Sequence, residues 1–133
     1  MIEKVLVVDD DSLSREFLVA CFRDLGLEAN EAASGEEGLE RVDTWSPDLV
    51  VTDLRMPGMD GMELVQTLGK RHPGLPVVVV TAHGSVETAV NAMRLGAADF
   101  LLKPCSPDHI EVVMRNLQRR GKLEADMAEA LGA

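Results

Sequence analysis

The fold of this chain is decided by three hydrophobic runs: KVLVVDD at 4–10, PDLVVTD at 47–53 and LPVVVVTA at 75–82. A near-continuous run of Val and Leu is typical of a strand that is buried on both faces of a parallel sheet. Each run ends in acidic or hydroxyl side chains, and the carboxyl ends of parallel strands meet at one edge of an open sheet. The sequence therefore predicts one crevice that is lined by four polar residues, Asp9, Asp10, Asp53 and Thr81.

The three carboxylates of this crevice repel one another unless a cation lies among them. A hard divalent ion such as Mg²⁺ binds oxygen ligands and keeps several waters, which suits a site of this kind. We therefore expect a Mg²⁺-assisted phosphate site at this edge of the sheet.

The composition indicates one globular domain that does not bind nucleic acid directly. The 133 residues are 46% hydrophobic and 27% charged, which suits a single core. The net charge of −10 opposes binding to DNA, RNA or an anionic membrane surface. The sequence shows no apolar stretch that could span a bilayer and no signal peptide, so a cytoplasmic protein is expected. Cys21 and Cys105 are expected to be free thiols.

Strand-like runs alternate with helix-like runs five times, which is the pattern of an α/β fold. Right-handed crossovers leave few ways to wind such units, and the flavodoxin-like order 2-1-3-4-5 is the leading one. We therefore predict a doubly wound, five-stranded parallel sheet with five helices. In this order strand one lies beside strand three, which brings Asp9 and Asp10 close to Asp53.

Serine residues are predicted to cap three of the helices: Ser12, Ser34 and Ser85. The first helix carries an apolar stripe, formed by Leu13, Phe17, Leu18, Cys21 and Leu25. The fifth helix is predicted to begin at Pro107 and to be interrupted at Gly121. Residues 1–120 are therefore expected to form the domain, and residues 121–133 a helical linker or tail.

Four separated motifs resemble the receiver domain of two-component response regulators, which is CheY-like in fold. They are Asp9-Asp10, DLRMPGMDG at 53–61, Thr81-Ala82 and FLLKP at 100–104. The resemblance covers about residues 3–120. Within it, TAHGSVETAVNAMRLGAADFLLKP at 81–104 is most similar to receivers of NtrC-type AAA+ transcriptional activators.

The resemblance implies a role for each residue of the crevice. Asp53 is the phosphoacceptor, a carboxylate nucleophile that holds the phosphoryl group as an acyl phosphate. Mg²⁺ is held directly by the side chains of Asp10 and Asp53 and by the backbone carbonyl of Arg55, and through water by Asp9. Asp11 is read as a helix cap rather than a metal ligand.

The resemblance also implies how the site communicates with the surface. Lys103 and Thr81 bond the phosphoryl oxygens. Thr81 then moves toward the phosphoryl group and leaves space into which Phe100 turns, which re-shapes the face of helix four, strand five and helix five. The Lys103-Pro104 bond is cis in such domains.

The expected function is a phosphorylation-controlled switch and not an enzyme, beyond its own phosphotransfer and autodephosphorylation. A sensor histidine kinase is the expected phosphate donor. The surface that changes is expected to expose apolar side chains and to form a phosphorylation-dependent dimer, through Val86, Val90 and Met93 of helix four and Val113 and Leu117 of helix five.

Two outputs and two other protein classes remain as alternatives. With no Walker motif and no basic helix, the chain is either the regulatory piece of an activator with a downstream AAA+ effector module or a stand-alone receiver. A Mg²⁺-dependent aspartyl-phosphate phosphohydrolase would carry a D-x-D-x-T pattern on its first strand, but the chain reads DDDSL at 9–13. A flavodoxin-like redox module needs a phosphate loop and aromatics, and the chain has no Tyr and one Trp.

Overall fold

Five strands form one parallel sheet in the predicted order β2-β1-β3-β4-β5. The computed structural model describes residues 1–132. The strands are β1 (Lys4–Val8), β2 (Glu28–Ala32), β3 (Leu49–Thr52), β4 (Val77–Thr81) and β5 (Asp99–Leu102). In this register Val8 lies opposite Thr52, so the last residue of β1 is beside the last residue of β3. The polar residues that follow the two strands are therefore neighbours.

Helices cover both faces of the sheet. They are α1 (Ser12–Asp24), α2 (Gly35–Trp45), α3 (Gly61–Arg71), α4 (Val86–Arg94) and α5 (Pro107–Gly132). Buried side chains of α1 and α5 share one core cluster, and those of α2, α3 and α4 share the other. Val5 and Val7 of β1 enter the first cluster, whereas Leu6 and Val8 enter the second. Burial on both faces explains the unbroken hydrophobic run, since each buried Val or Leu contributes about 1.5–3 kcal/mol.

The caps of α2 and α4 are confirmed, and of the two residues read as caps of α1 Asp11 is confirmed and Ser12 is wrong. Ser34 and Ser85 accept hydrogen bonds from the backbone N–H groups of their helices. Helix α1 is capped by Asp11, whose carboxylate accepts from Leu13 N at 3.2 Å, and Ser12 is already helical. The Asp11 N–H donates to Asp9 Oδ1 at 3.0 Å, which holds Asp11 in an extended conformation outside the helix.

The apolar stripe of α1 is only partly buried. Leu18 and Cys21 of the stripe are buried, and so are Val19 and Phe22, which were not assigned to it. Leu13 is 75% exposed, and Phe17 is half-exposed. The helix begins beyond the carboxyl end of β1, so its first turn has no sheet beneath it.

Helix α5 differs from its prediction in two respects. It is continuous from Pro107 to Gly132, so Gly121 does not interrupt it. A single Gly costs a helix about 1 kcal/mol relative to Ala, which weakens the helix without breaking it. Val113 and Leu117 are only 8% and 6% exposed, because they lie on the stripe that faces the sheet, and Val112 is exposed instead. The prediction that Val113 and Leu117 of α5 form part of the apolar surface is therefore wrong.

Two local predictions about other segments are confirmed. The Lys103-Pro104 peptide bond is cis. Cys21 and Cys105 are both free and buried.

Within residues 1–132, none of the helices combines the length and the hydrophobicity that a membrane crossing needs.

Candidate functional site

Three carboxylates meet at the carboxyl edge of the sheet, as predicted. Asp9 and Asp10 follow β1, and Asp53 follows β3. One oxygen from each of these side chains lies within 4.8 Å of the others. Asp9 is fully buried, Asp53 is partly buried and Asp10 is exposed. The cluster therefore runs from the protein interior to solvent.

Lys103 is the cation of this cluster. Its Nζ lies 2.8 Å from Asp9 Oδ2 and 2.9 Å from Asp53 Oδ2. Burial by itself lowers the pKa of Lys103, but the hydrogen bonds and negative charges of Asp9 and Asp53 outweigh burial and raise the pKa. Lys103 is therefore an ammonium at neutral pH. One positive charge faces three carboxylates, which leaves the site negative overall.

The carboxylate of Asp53 is oriented from both of its oxygens. Oδ2 accepts from Lys103, and Oδ1 accepts from the backbone N–H groups of Leu54 at 2.6 Å and Arg55 at 3.3 Å. Asp53 N donates to Val8 O at 2.9 Å, which extends the β1–β3 pairing to this residue. Asp53 is thus held in one orientation at the mouth of the crevice.

Asp9 is positioned by a residue that the sequence analysis missed. Arg15 Nη1 donates to Asp9 O at 2.7 Å, and Arg15 Nε pairs with Glu31 Oε1 at 3.2 Å. The sequence carried one signal of this contact. A cation near the N-terminus of a helix opposes the helix dipole, so Arg15 on α1 called for a tertiary partner.

Thr81 and Phe100, the predicted switch residues, lie on neighbouring strands. Thr81 is fully buried at the end of β4, where its Oγ1 accepts from His83 N at 3.1 Å and its backbone carbonyl accepts from Lys103 N at 2.9 Å. Phe100 is half-buried and packs against Gly84, where an added Cβ would lie 2.9 Å from the ring. The backbone ladder thus places Thr81 beside Lys103, whereas Phe100 lies on the face that packs against α4.

A second residue that the sequence analysis missed is Glu36, in the first turn of α2. Its Oε1 accepts from Met59 N at 2.7 Å. This hydrogen bond with Met59 is the main reason that the pKa of Glu36 is lowered. The contact joins α2 to residues 54–60, the loop that follows Asp53. No local pattern indicated it.

The donor set of the crevice fits a hard divalent cation. All three candidate ligands are carboxylates, their oxygens converge, and a single ammonium does not neutralise them. The exposure of Asp10 leaves room for the waters that Mg²⁺ keeps.

Comparison with known proteins agrees with the geometry. The family model described as "Response regulator receiver domain" matches residues 5–115. Luminescence regulatory protein LuxO of Vibrio campbellii is 43% identical over 105 residues, which are 77% of this chain and 23% of that protein. DNA-binding transcriptional regulator NtrC of Klebsiella pneumoniae is 43% identical over 102 residues, which are 77% of this chain and 22% of NtrC.

A solved structure is also similar over nearly the whole chain. The crystal structure of NtrX from Brucella abortus superimposes with a TM-score of 0.91 at 34% identity, over 98% of this chain and 30% of NtrX. The chain thus spans under a third of the length of each of these proteins. The family is one of regulatory domains rather than of enzymes. The chain therefore belongs to the response regulator receiver domain family, which the match over residues 5–115 shows and the strand order and the carboxylate crevice support.

Proposed function

We propose that the protein is a phosphorylation-controlled switch of a two-component system, and that it accepts a phosphoryl group from a sensor histidine kinase on Asp53. The observation that carries the proposal is the setting of Asp53. Its carboxylate is held by two backbone N–H groups and by Lys103, next to two further carboxylates at the mouth of the crevice. A fixed nucleophile beside a cation suits phosphoryl transfer, in which positioning and charge stabilisation do most of the catalysis.

Phosphoryl transfer to Asp53 is a substitution at phosphorus. A carboxylate oxygen of Asp53 forms a bond to phosphorus while the P–N bond of the phosphohistidine breaks, and the leaving imidazole keeps the electron pair and takes up a proton. Lys103 then moves its hydrogen bond from the Asp53 carboxylate to a phosphoryl oxygen, and the Thr81 hydroxyl donates to another. In autodephosphorylation, water attacks the phosphorus of the acyl phosphate and the P–O bond to Asp53 breaks. Phosphate is released, and the Asp53 carboxylate is restored.

Mg²⁺ is proposed to bind directly to Asp10, Asp53 and the backbone carbonyl of Arg55, and through water to Asp9. The indirect role of Asp9 is supported by its complete burial, whereas Asp53 is partly buried and Asp10 is exposed. When bound, the ion offsets the charge of the carboxylates and of the phosphoryl oxygens.

The signal is proposed to leave through α4, β5 and α5. Thr81 turns toward the phosphoryl group, and Phe100 fills the space that Thr81 leaves. Both strands that carry these residues adjoin α4, whose exposed apolar side chains are Val86, Val90 and Met93, and Leu102 of β5 is also exposed. These four residues, here named the α4 patch, replace the set that included Val113 and Leu117.

The output is proposed to be regulation of transcription in the cytoplasm, through a downstream AAA+ module. Two of the relatives are named as regulators, and the name of NtrC describes a DNA-binding transcriptional regulator. In this proposal residues 1–120 are the receiver and residues 121–133 a linker, which the unbroken course of α5 through Gly132 supports. The alternative output is that of a stand-alone receiver that acts through the α4 patch alone.

Phosphorylation of wild type and Asp53→Asn by acetyl phosphate tests the assignment. Intact-mass spectrometry should show one adduct on the wild type with Mg²⁺ present, and none with EDTA or in Asp53→Asn. Asp60→Asn is the matched control, because Asp60 is a nearby carboxylate that caps α3 and asparagine retains the cap. A full adduct on Asp53→Asn would contradict the phosphoacceptor assignment.

A further inference from the structure

Residues 54–60 form the loop between β3 and α3. This loop supplies backbone groups both to the Asp53 carboxylate and to the proposed Mg²⁺ site. The backbone N–H groups of Leu54 and Arg55 hold the Asp53 carboxylate. Arg55 is also the residue proposed to offer its carbonyl to Mg²⁺. The base of the loop is closed by a hydrogen bond from Gly61 N to Leu54 O, at 2.8 Å. This hydrogen bond joins the two ends of the loop. The tip of the loop is held by a separate contact.

The first turn of α2 supplies that contact. Glu36 Oε1 accepts from Met59 N at 2.7 Å, across 23 positions of the sequence. An ionised carboxylate makes a shorter and stronger hydrogen bond with an N–H group than a neutral oxygen does. This bond favours the ionised carboxylate and is the first cause of the lowered pKa of Glu36.

Two glycines allow the loop and the helix to approach this closely. Gly58 has φ +76°, and a Cβ there would lie 2.9 Å from Glu36 Oε1. A Cβ at Gly35 would lie 2.8 Å from the backbone oxygen of Met59. These four residues, Gly35, Glu36, Gly58 and Met59, are here named the α2 clasp. A side chain at Gly35 would meet the backbone of the loop, whereas one at Gly58 would displace the Glu36 carboxylate.

The helix dipole offers a different reason for an acid at position 36. A carboxylate in the first turn of a helix is favourable without any tertiary contact. The dipole, however, does not require Met59 or a glycine at position 58. A variant that keeps the hydrogen-bond acceptor and removes the charge separates the two explanations.

We propose that Glu36 is a positioning residue of the phosphoacceptor site: through Met59 it sets the conformation of residues 54–60, and thereby the groups of Leu54 and Arg55 that serve Asp53 and Mg²⁺. This role rests on the proposed function, because it assigns Glu36 to the same site. Glu36 does not touch the reacting atoms. Its effect is expected on metal affinity first and on phosphorylation as a consequence.

The test measures Mg²⁺ affinity by NMR titration of wild type, Glu36→Ala, Glu36→Gln and Glu40→Ala. Glu36→Ala should weaken Mg²⁺ binding about tenfold, the lower end of the range for partners that orient metal ligands. Glu36→Gln should lose clearly less affinity than Glu36→Ala, because its amide carbonyl still accepts from Met59 N, although more weakly than a carboxylate. Glu40→Ala removes the same charge from an exposed position of the same helix and should behave as wild type.

Two further measurements exclude a merely structural role. Glu36→Ala and Glu40→Ala should both unfold cooperatively in EDTA, with Glu36→Ala modestly less stable because it loses a first-turn carboxylate. The amide signals of Met59, Leu54 and Arg55 should move in Glu36→Ala without Mg²⁺. Unchanged Mg²⁺ affinity in Glu36→Ala would overturn the proposal. So would a Glu36→Gln variant as weak as Glu36→Ala, since charge would then matter and not the hydrogen bond.

The outcome for wild type separates this proposal from the proposed function. A wild type whose signals do not respond to Mg²⁺ contradicts the proposed function. In that case the Leu54 and Arg55 amide signals of the metal-free protein decide the positioning role: movement in Glu36→Ala supports it, and unchanged positions overturn it.

Discussion

Asp9, Asp10 and Asp53 carry the same chemical group in three different environments. Asp9 is buried and shares the Lys103 ammonium, Asp53 is held at the mouth of the crevice, and Asp10 faces solvent. Solvent exposure makes Asp10 accessible to a hydrated metal ion, whereas burial shields Asp9 from direct contact with one. The three environments therefore support the different roles proposed for identical side chains.

Asp10→Ala should weaken Mg²⁺ binding much more than Asp11→Ala. The reason is that Asp10 belongs to the converging carboxylates, whereas Asp11 caps α1 through Leu13 N. The cap itself contributes about 1 kcal/mol to stability, so Asp11→Ala should instead lower the unfolding temperature. Isothermal titration with Mg²⁺ and thermal unfolding measure the two effects. Equal losses of Mg²⁺ affinity would show that the acidic pair is shifted by one residue.

The two thiols should be unreactive in the folded protein. Burial is the first cause that raises the pKa of both Cys21 and Cys105. A raised pKa stabilises the native state below the unfolded pKa, about 8.5, and this contribution is lost as pH rises above it. Alkylation by iodoacetamide at neutral pH should therefore be slow, and fast in urea. Alkylation at the rate of a free cysteine without urea would contradict this burial.

At the scale of the elements, α5 has two parts with different partners. Its first turns bury Ile110, Val113 and Leu117 against the sheet. The turns after Gly121 are exposed, including Leu123 and Met127. The second part therefore depends on helix propensity and on whatever packs against it, so Gly121 is where the helix is weakest.

Gly121→Ala should stabilise the exposed part of α5 by about 1 kcal/mol, the difference in helix propensity between Gly and Ala. A Cβ at this position meets nothing within 4 Å, so no clash offsets the gain. The gain in helix stability should appear as slower amide hydrogen exchange after residue 121. Gly26→Ala is the contrasting control, because its φ of +84° disfavours Ala and the variant should lose stability. Unchanged exchange in Gly121→Ala would mean that this part of α5 is not a helix in solution.

The whole molecule is acidic, with a net charge of −10, and it presents the α4 patch to solvent. A net negative charge disfavours contact with nucleic acid phosphates, so the α4 patch is the surface at which we expect a protein partner. A two-fold symmetric contact is the commonest way for a patch of this kind to be covered. A complete population shift from 1:99 to 99:1 needs only about 5.5 kcal/mol of differential stabilisation.

Beryllofluoride, which mimics the phosphoryl group, should therefore shift the protein toward dimers through the α4 patch. Val90→Asp should abolish the shift, because it places a charge within that patch. Phe17→Asp is a matched control, since Phe17 is 43% exposed, Val90 is 45% exposed, and Phe17 lies on α1, outside the face of α4, β5 and α5. Analytical ultracentrifugation with and without beryllofluoride measures the association. An identical association state in both conditions would assign the output to a different partner or to a downstream module.

The sequence by itself determined the sheet, the two serine caps at Ser34 and Ser85, and the meeting of Asp9, Asp10 and Asp53. These features depend on short-range patterns: a buried strand needs an apolar run, a cap needs one hydroxyl next to its helix, and parallel strands end at one edge. The roles of Lys103 and Thr81 came from motifs that resemble a known family, and no shorter pattern indicated them.

Tertiary structure decided what depends on contacts between distant segments. Arg15 of α1 pairs with Glu31 of β2 across 16 positions, and Glu36 accepts from Met59 N across 23 positions. The burial of Leu117 likewise depends on which side of α5 packs against the sheet. The physical reason is that a hydrogen bond or a buried surface between distant residues exists only after the chain has packed, whereas periodicity and capping act within one or two turns.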